Sequence, residues 1–356
     1  PTVIIILGGA GCLPTFTGPS VYADDLISAG WVDYHIRGDG EHALYELLKN
    51  NREYSGINSL EWRELSKDEM RSLPMPDYSQ YYFDTYQKKV LPLTGSRGCV
   101  RKCTFCDYIA NWKVFNWRTA DDIYNEMQAQ YQKYGIRYFK FQDSLTNGNM
   151  KEFVTLTEML SAYNTANPDK SFRWSGYYIF REHNSKTEYE WEMVAASGAD
   201  SLAVGIENLN QHIRYDIGKK FSNEAIDVHL ALAQKHNIRL QLLNIVGYVN
   251  ETEDDITFIK QWLRDHTMYL DILHLQFGGT LGIFPNTWLD RNWEKLGLER
   301  TGDSPQSWIN RAIDSTPEKR ARWAREINKL GTDLGYSVAD NLDNHYILES
   351  MINDKI

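Results

Sequence analysis

Cys99, Cys103 and Cys106 fall within eight residues, in the run Gly98-Cys99-Val100-Arg101-Lys102-Cys103-Thr104-Phe105-Cys106. A C-x3-C-x2-C spacing lets one small loop turn three thiolates inward, and thiolates are the ligands of iron-sulfur clusters and of structural zinc. Structural zinc takes four ligands, usually as two pairs, and no nearby His or fourth Cys completes a set here. A cluster with one open iron fits the spacing better, with zinc or three incidental buried thiols as the alternatives. Arg97, Arg101 and Lys102 flank the thiols, and cations lower thiol pKa while offsetting the charge of a sulfur-rich cluster. Cys12 lies 87 positions before Cys99 and reads as a small buried residue beside the Gly8-Gly9 turn.

Such a loop needs a scaffold. Six short segments rich in β-branched and aromatic residues recur: Val90 to Leu93, Tyr138 to Phe141, Phe172 to Tyr177, Ser201 to Val204, Leu240 to Ile245 and Ile272 to Phe277. Each gap is long enough for a crossover helix, so the strands are expected to be parallel. Thr119 to Tyr134 reads as one such helix, with Thr119 as cap, Asp121 and Asp122 at its positive end and Gly135 as stop. Ser222 to His236 reads as another, with Ser222 as cap and Asn237 as terminator. The βαβα alternation predicts an α/β fold, either a right-handed α/β barrel or an open parallel sheet.

Ahead of this core, Val3 to Leu7 reads as a buried strand running into a glycine turn, Trp31 to Ile36 as a second strand and Glu41 to Leu48 as a helix. Leu73-Pro74-Met75-Pro76-Asp77 reads as a linker, since proline cannot continue a helix. Pro317 to Leu334 reads as a C-terminal helix. The expected division is a short α/β segment with its linker over 1–75, a barrel core over 76–292 and a helical extension over 293–356.

With its strands in place, the cysteine run resembles the C-x3-C-x-aromatic-C motif of the radical S-adenosylmethionine (SAM) superfamily. The resemblance implies a partial (β/α)6 TIM-like barrel with the cysteine loop after its first strand, a 4Fe-4S cluster on Cys99, Cys103 and Cys106, and SAM on the fourth iron. By the same resemblance Phe105 would pack near adenine, and Gln142, Asp143 and Ser144, after the second strand, would meet the SAM amino group. Arg181 would pair with the SAM carboxylate, Glu207 of Gly205-Ile206-Glu207-Asn208 would contact SAM, and Gly247 would let the fifth strand's backbone approach adenine. The N-terminal segment, with Gly8-Gly9 and Arg37-Gly38-Asp39-Gly40-Glu41, resembles the end of the cobalamin-binding domain of one subgroup, in truncated form. Two strands are too few for a whole doubly wound domain, which argues against cobalamin binding by this chain alone. Asp33-x-His35-x-x-Gly38 matches an axial-histidine motif, but it follows the Gly-Gly turn instead of preceding it, so His35 is not expected to be a ligand.

The implied activity is reductive cleavage of SAM to a 5′-deoxyadenosyl radical that abstracts hydrogen from a small-molecule or peptide substrate, with methyl transfer as one outcome. A flavodoxin or ferredoxin would supply the electron. The other reading is a non-catalytic binding protein whose cysteines hold zinc or a structural cluster. His274, Gln276 and Asn244 stand as polar pocket groups, with a satisfied core position the expected fate of His274; Trp112, Trp117, Tyr177, Tyr178, Trp288 and Trp293 read more readily as packing.

Composition closes off other classes. The 356 residues, 42% hydrophobic and 24% charged, exclude a disordered or collagen-like chain. A formal net charge of −10 argues against a general nucleic-acid binder. The longest apolar run, Val3 to Leu7, is far short of the ~20 residues of a membrane span. No charged leader precedes it, so a cytoplasmic protein without membrane partners is expected.

Overall fold

The computed structural model describes residues 3–12, 22–54, 56–58 and 62–338. The chain opens with a parallel pair, β1 (Ile6–Gly8) and β2 (Tyr34–Ile36), connected through α1 (Tyr22–Ser28). Helices α2 (Glu41–Leu48) and α3 (Lys67–Ser72) follow, the second ending at the proline-rich linker. The expected buried strand over Val3 to Leu7 is corrected here: Val3, Ile4 and Ile5 are 80%, 55% and 49% exposed. A two-stranded ribbon has too little neighbouring sheet to enclose them. The second strand likewise begins only at Tyr34, with Trp31 exposed in the turn before it. Cys12 is buried just after β1, as expected.

The core begins with β3 (Val90–Leu93) and the two-residue strand β4 (Ser96–Arg97). The cysteine loop follows, carrying the one-turn helix α4 (Tyr108–Asn111), and ends at β5 (Asn116–Trp117). Then come α5 (Ala120–Tyr134), β6 (Tyr138–Phe141), α6 (Met150–Ala166), β7 (Arg173–Tyr178), α7 (Thr187–Ala196) and β8 (Ala199–Glu207). Next are α8 (Gln211–Ile217), α9 (Asn223–Lys235), β9 (Arg239–Val246), α10 (Glu253–Asp265) and β10 (Leu273–Thr280). The chain continues through α11 (Trp288–Arg291), the hairpin of β11 (Leu298–Arg300) and β12 (Trp308–Asn310), α12 (Pro317–Asp333) and β13 (Ser337–Val338).

All six expected strands form one parallel sheet in the order β3-β6-β7-β8-β9-β10, and β13 adds a seventh at the β10 edge. The fold is thus α/β, with the parallel sheet and covering helices of a TIM-like partial barrel. Helix ends follow local chemistry. Thr119 accepts from the Asp122 amide while the Asp122 carboxylate accepts from the Thr119 amide, and Gly135 leaves α5 in the left-handed conformation. Ser222 caps α9 through the Ala225 amide, and Asn237 takes the left-handed turn beyond its end.

One apolar layer lies between sheet and helices. Phe139, Trp174, Leu202, Leu240 and Leu275 of the strands pack with Met127, Leu160, Trp191, Leu230 and Ile259 of the helices. Each such side chain contributes roughly 1.5–3 kcal/mol by leaving water. Trp323 and Ile327 of α12 belong to the same layer, so the helical extension packs directly on the sheet.

Candidate metal and cofactor site

The cysteine loop leaves the sheet through a narrow neck. Ser96 pairs with Trp117 and Arg97 with Asn116. Gly98 sits at the neck with φ +81°, where an added Cβ would lie 2.0 Å from the Val114 carbonyl oxygen. Farther on, the Thr104 amide donates to the Ile217 carbonyl and the Leu289 amide to the Thr104 carbonyl. The Thr104 and Tyr248 hydroxyls are 2.7 Å apart. These contacts seat Cys103 in an apolar cluster with Ile213, Ile217, Tyr248 and Leu281, beside the C-terminal ends of β8 and β9.

Burial governs the three thiols. It raises the pKa of Cys99 and Cys106 and pushes Cys103 up to about 12. The expectation that flanking cations hold these thiols low is therefore corrected. Arg97 turns away to Asp39 and Glu41, and Lys102 is exposed. Arg101 acts on Cys99 but donates its guanidinium to the Phe180 carbonyl. The cation that faces both Cys99 and Cys103 is Lys219. It is buried, and its ammonium donates to the Gly205 carbonyl at 2.5 Å and to Glu207 at 2.8 Å. Burial opposes its charge, yet Glu207 and the thiols raise its pKa on balance.

Above this pair opens a cleft of about 310 Å³, lined by Phe105, Glu207, Asn244, Ile245, Gln276 and the Gly279–Gly282 turn. At Gly205 an added Cβ would stand 2.4 Å from the Glu207 carboxylate and 2.6 Å from the Lys219 ammonium, so a side chain there would displace this pair. Glu207 holds a left-handed φ of +66° at the strand end. Asn244 is buried, its amide donating to the Leu242 carbonyl while Oδ1 has no hydrogen-bond partner. A buried carbonyl oxygen without a partner costs about 1–3 kcal/mol, and Asn244 borders the cleft.

Of the expected site residues, the three cysteines, Phe105 and Glu207 gather around this cleft. Gln142 instead borders a neighbouring hollow of about 290 Å³ with Gly38–Glu41, Arg97, Tyr108 and Trp112. Ser144 is half-buried in the turn after β6. Asp143 turns inward: its oxygens accept from the Gly95 amide at 2.8 Å and the Ser96 hydroxyl at 2.6 Å, so it braces the approach to the cysteine neck. Arg181 is spent on the carbonyls of Asn147 and Gly148. Gly247, at φ +81°, has the Arg320 side chain where its Cβ would be, at 2.1 Å, which explains the glycine without any adenine. The ring of His35 is 1% exposed with Nε2 paired to Asp24 at 3.0 Å, unlike a free axial ligand. His274 is buried, as expected of a core histidine, but only Nδ1 is bonded, to Ser337. Lys219 escaped sequence reasoning because Gly218-Lys219-Lys220 after a short helix reads as a solvated turn.

The sequence profile of the Radical SAM superfamily matches residues 93–263, a span that includes the cysteine loop, Glu207, Lys219 and Asn244. This stretch is a radical SAM domain. Curated relatives include two anaerobic magnesium-protoporphyrin IX monomethyl ester cyclases. The one from Cereibacter sphaeroides is 23% identical over 286 residues, covering 74% of this chain and 45% of the cyclase. The one from Synechocystis sp. is 24% identical over 285 residues, covering 73% and 52%. The chain thus spans about half the length of the curated relatives it matches. Among solved structures, the radical SAM methyltransferase TsrM from Kitasatospora setae, with cobalamin and a 4Fe-4S cluster bound, superposes with a TM-score of 0.64 at 17% identity, covering 96% of this chain and 74% of that one. The cobalamin-dependent radical enzyme OxsB superposes with a TM-score of 0.58 at 15% identity, covering 83% and 48%. These two show that the fold is shared.

The radical SAM domain implies a 4Fe-4S cluster and SAM, and the donor set suits both. Three thiols share one loop, with Cys99 and Cys103 facing the buried Lys219 ammonium, and Asn244, whose buried side-chain oxygen has no partner, borders the adjoining cleft. Among the described residues no three His, Cys, Asp or Glu side chains gather tightly enough for a single metal ion. Zinc needs its ligands around one atom, whereas a cubane takes one thiolate per iron.

Proposed function

We propose that this chain is the catalytic part of a radical SAM enzyme that uses one 4Fe-4S cluster and abstracts hydrogen from a small-molecule or peptide substrate. The observation that carries this reading is the loop that brings Cys99 and Cys106 to Cys103, with Lys219 facing Cys99 and Cys103, beside a cleft bordered by Glu207 and Asn244. A 4Fe-4S cluster held there would supply the single electron that reductive cleavage of SAM to a 5′-deoxyadenosyl radical needs. Cys99, Cys103 and Cys106 would hold three irons and leave the fourth open. Phe105 supplies an aromatic wall beside them, and Glu207 and Asn244 supply hydrogen-bond acceptors for SAM. Lys219 offsets negative charge behind the thiols, while the apolar packing around Cys103 keeps water from the loop. Asp143 acts as a positioning residue through Gly95 and Ser96. A flavodoxin or ferredoxin is the fitting electron donor.

The test is anaerobic reconstitution with iron and sulfide, followed by a dithionite-dependent assay for 5′-deoxyadenosine. Product that requires all three cysteines supports the proposal; a filled cluster that yields none refutes it. Methyl transfer to an unactivated carbon is the finer form of the same reading, and it predicts cobalamin binding, which a cobalamin spectrum after incubation would reveal.

A further inference from the structure

The C-terminal extension reaches the cleft beside the cysteine loop. The connection between β11 and β12 brings Pro305 and Gln306 to the turn that follows β10. There the Ile283 amide donates to the Pro305 carbonyl at 2.9 Å, and Gln306 lines the cleft with Phe105, Ile245 and Gln276. Trp308, fully buried in the apolar cluster around Cys103, donates from Nε1 to the Leu281 carbonyl at 3.0 Å. Arg320 of α12 holds the other side. Its guanidinium lies 3.6 Å over the Trp308 ring and donates to the carbonyls of Gln306 at 2.8 Å and Trp308 at 2.9 Å. Arg320 is buried and forms no ion pair among the described residues, so a costly buried charge is committed to this stretch of backbone.

The Gln306 side chain is fixed in orientation as well as in place. The Ser304 hydroxyl accepts from the Gln306 backbone amide at 3.4 Å and donates to Gln306 Oε1 at 2.7 Å. That leaves Nε2 as a donor without a partner among the described residues. Gly282 keeps the space around it open, since a Cβ there would come within 3.2 Å of Nε2. A carboxamide held this way presents a free donor beside an acceptor with one lone pair to spare.

SAM offers one complement to that pattern. Its methionine end is charged, and its ribose carries hydroxyls alone. The adenine edge sets an exocyclic amine beside a ring nitrogen, which a Gln side chain meets with two hydrogen bonds. Phe105, on the same cleft, supplies an aromatic face for a flat ring.

We propose that Gln306 is a specificity-determining residue that reads the adenine edge of SAM, Nε2 donating to a ring nitrogen and Oε1 accepting from the amine. The C-terminal extension is then part of the site as well as a cover for the sheet. The assignment rests on the reading of this cleft as the one that takes SAM.

Anaerobic calorimetry on the cluster-loaded chain tests it. The probes are SAM, S-adenosylhomocysteine and S-inosylhomocysteine, in which a carbonyl oxygen replaces the amine. S-Adenosylhomocysteine binds at least about tenfold more tightly than the inosyl compound, and Gln306→Ala brings the two within about twofold. Ser304→Ala narrows the gap as well, because the freed amide can turn over to meet the carbonyl. Equal binding of the two probes by the parent, or a gap undiminished in either variant, overturns the proposal and leaves the SAM reading standing. Failure of SAM itself to bind overturns the reading and the proposal together.

Discussion

At the cysteine loop, desolvation and charge oppose each other. Burial raises all three thiols, and Lys219 offsets part of that cost at Cys99 and Cys103 while held by Glu207. A cation in this position favours the more negative, reduced form of a bound cluster. Lys219→Met is expected to lower the midpoint potential by several tens of millivolts, with Lys219→Arg close to the parent, in an EPR-monitored redox titration. An unchanged potential in the Met variant would show that Lys219 serves only to pair Glu207. Two buried carboxyls carry a separate expectation. Burial raises Glu251 and Asp143 to about 7 against acceptance of hydrogen bonds from Asn208, Gly247, Tyr248, Gly95 and Ser96. The folded chain thus holds protons that the unfolded chain, titrating near about 4, has released. Their contribution makes stability fall as pH rises from about 4 to about 7, then level off. Urea unfolding at pH 5 and pH 8 should show a smaller drop for Glu251→Gln than for the parent; equal drops would contradict the assignment.

The elements that position the loop were legible to different degrees. The six strands and the helices beginning after Thr119 and Ser222 announce themselves through runs of β-branched residues, caps and glycine or asparagine stops. The two-residue strands β4, β5 and β13 are too short to carry a periodic signal, and tertiary pairing alone defines them. The same holds for β11 and β12. Apolar content over Val3 to Leu7 does not bring burial, because Val3, Ile4 and Ile5 have too few neighbours to cover them. Helix α12 reads as an appendage from its charges, yet its Trp323 and Ile327 lie in the main core. Trp323→Ala should therefore cost about 3–5 kcal/mol of stability, measured by denaturant unfolding of the whole chain. A loss within about 0.5 kcal/mol would place α12 outside the cooperative core. At the neck, Gly98→Ala should impair cluster retention, since φ +81° and the Val114 carbonyl leave no room for a Cβ. Iron and sulfide content per chain reads the effect.

For the whole molecule, the cysteine spacing pointed to the chemistry, whereas the ligand environment came from residues distant in sequence. Lys219, Asn244 and Gln276 meet Cys103 and Phe105 only through the sheet. Asp143, Arg181 and Gly247 match family positions in sequence, but here their side chains or backbone serve internal contacts. Sequence position alone could not separate those outcomes. Among the described residues no helix is long and apolar enough to cross a membrane. The N-terminal segment contributes two strands and a buried, Asp24-paired His35. Cobalamin added to this chain by itself should therefore show no spectral change attributable to histidine ligation; a histidine-ligated spectrum lost in His35→Ala would reverse that expectation. The central claim is that the three thiols hold a cluster with one iron open to SAM. EPR of the dithionite-reduced, reconstituted chain tests it most directly. The account predicts a reduced 4Fe-4S signal that changes on adding SAM and is absent when Cys99, Cys103 and Cys106 are all replaced by alanine; a signal indifferent to SAM would contradict it.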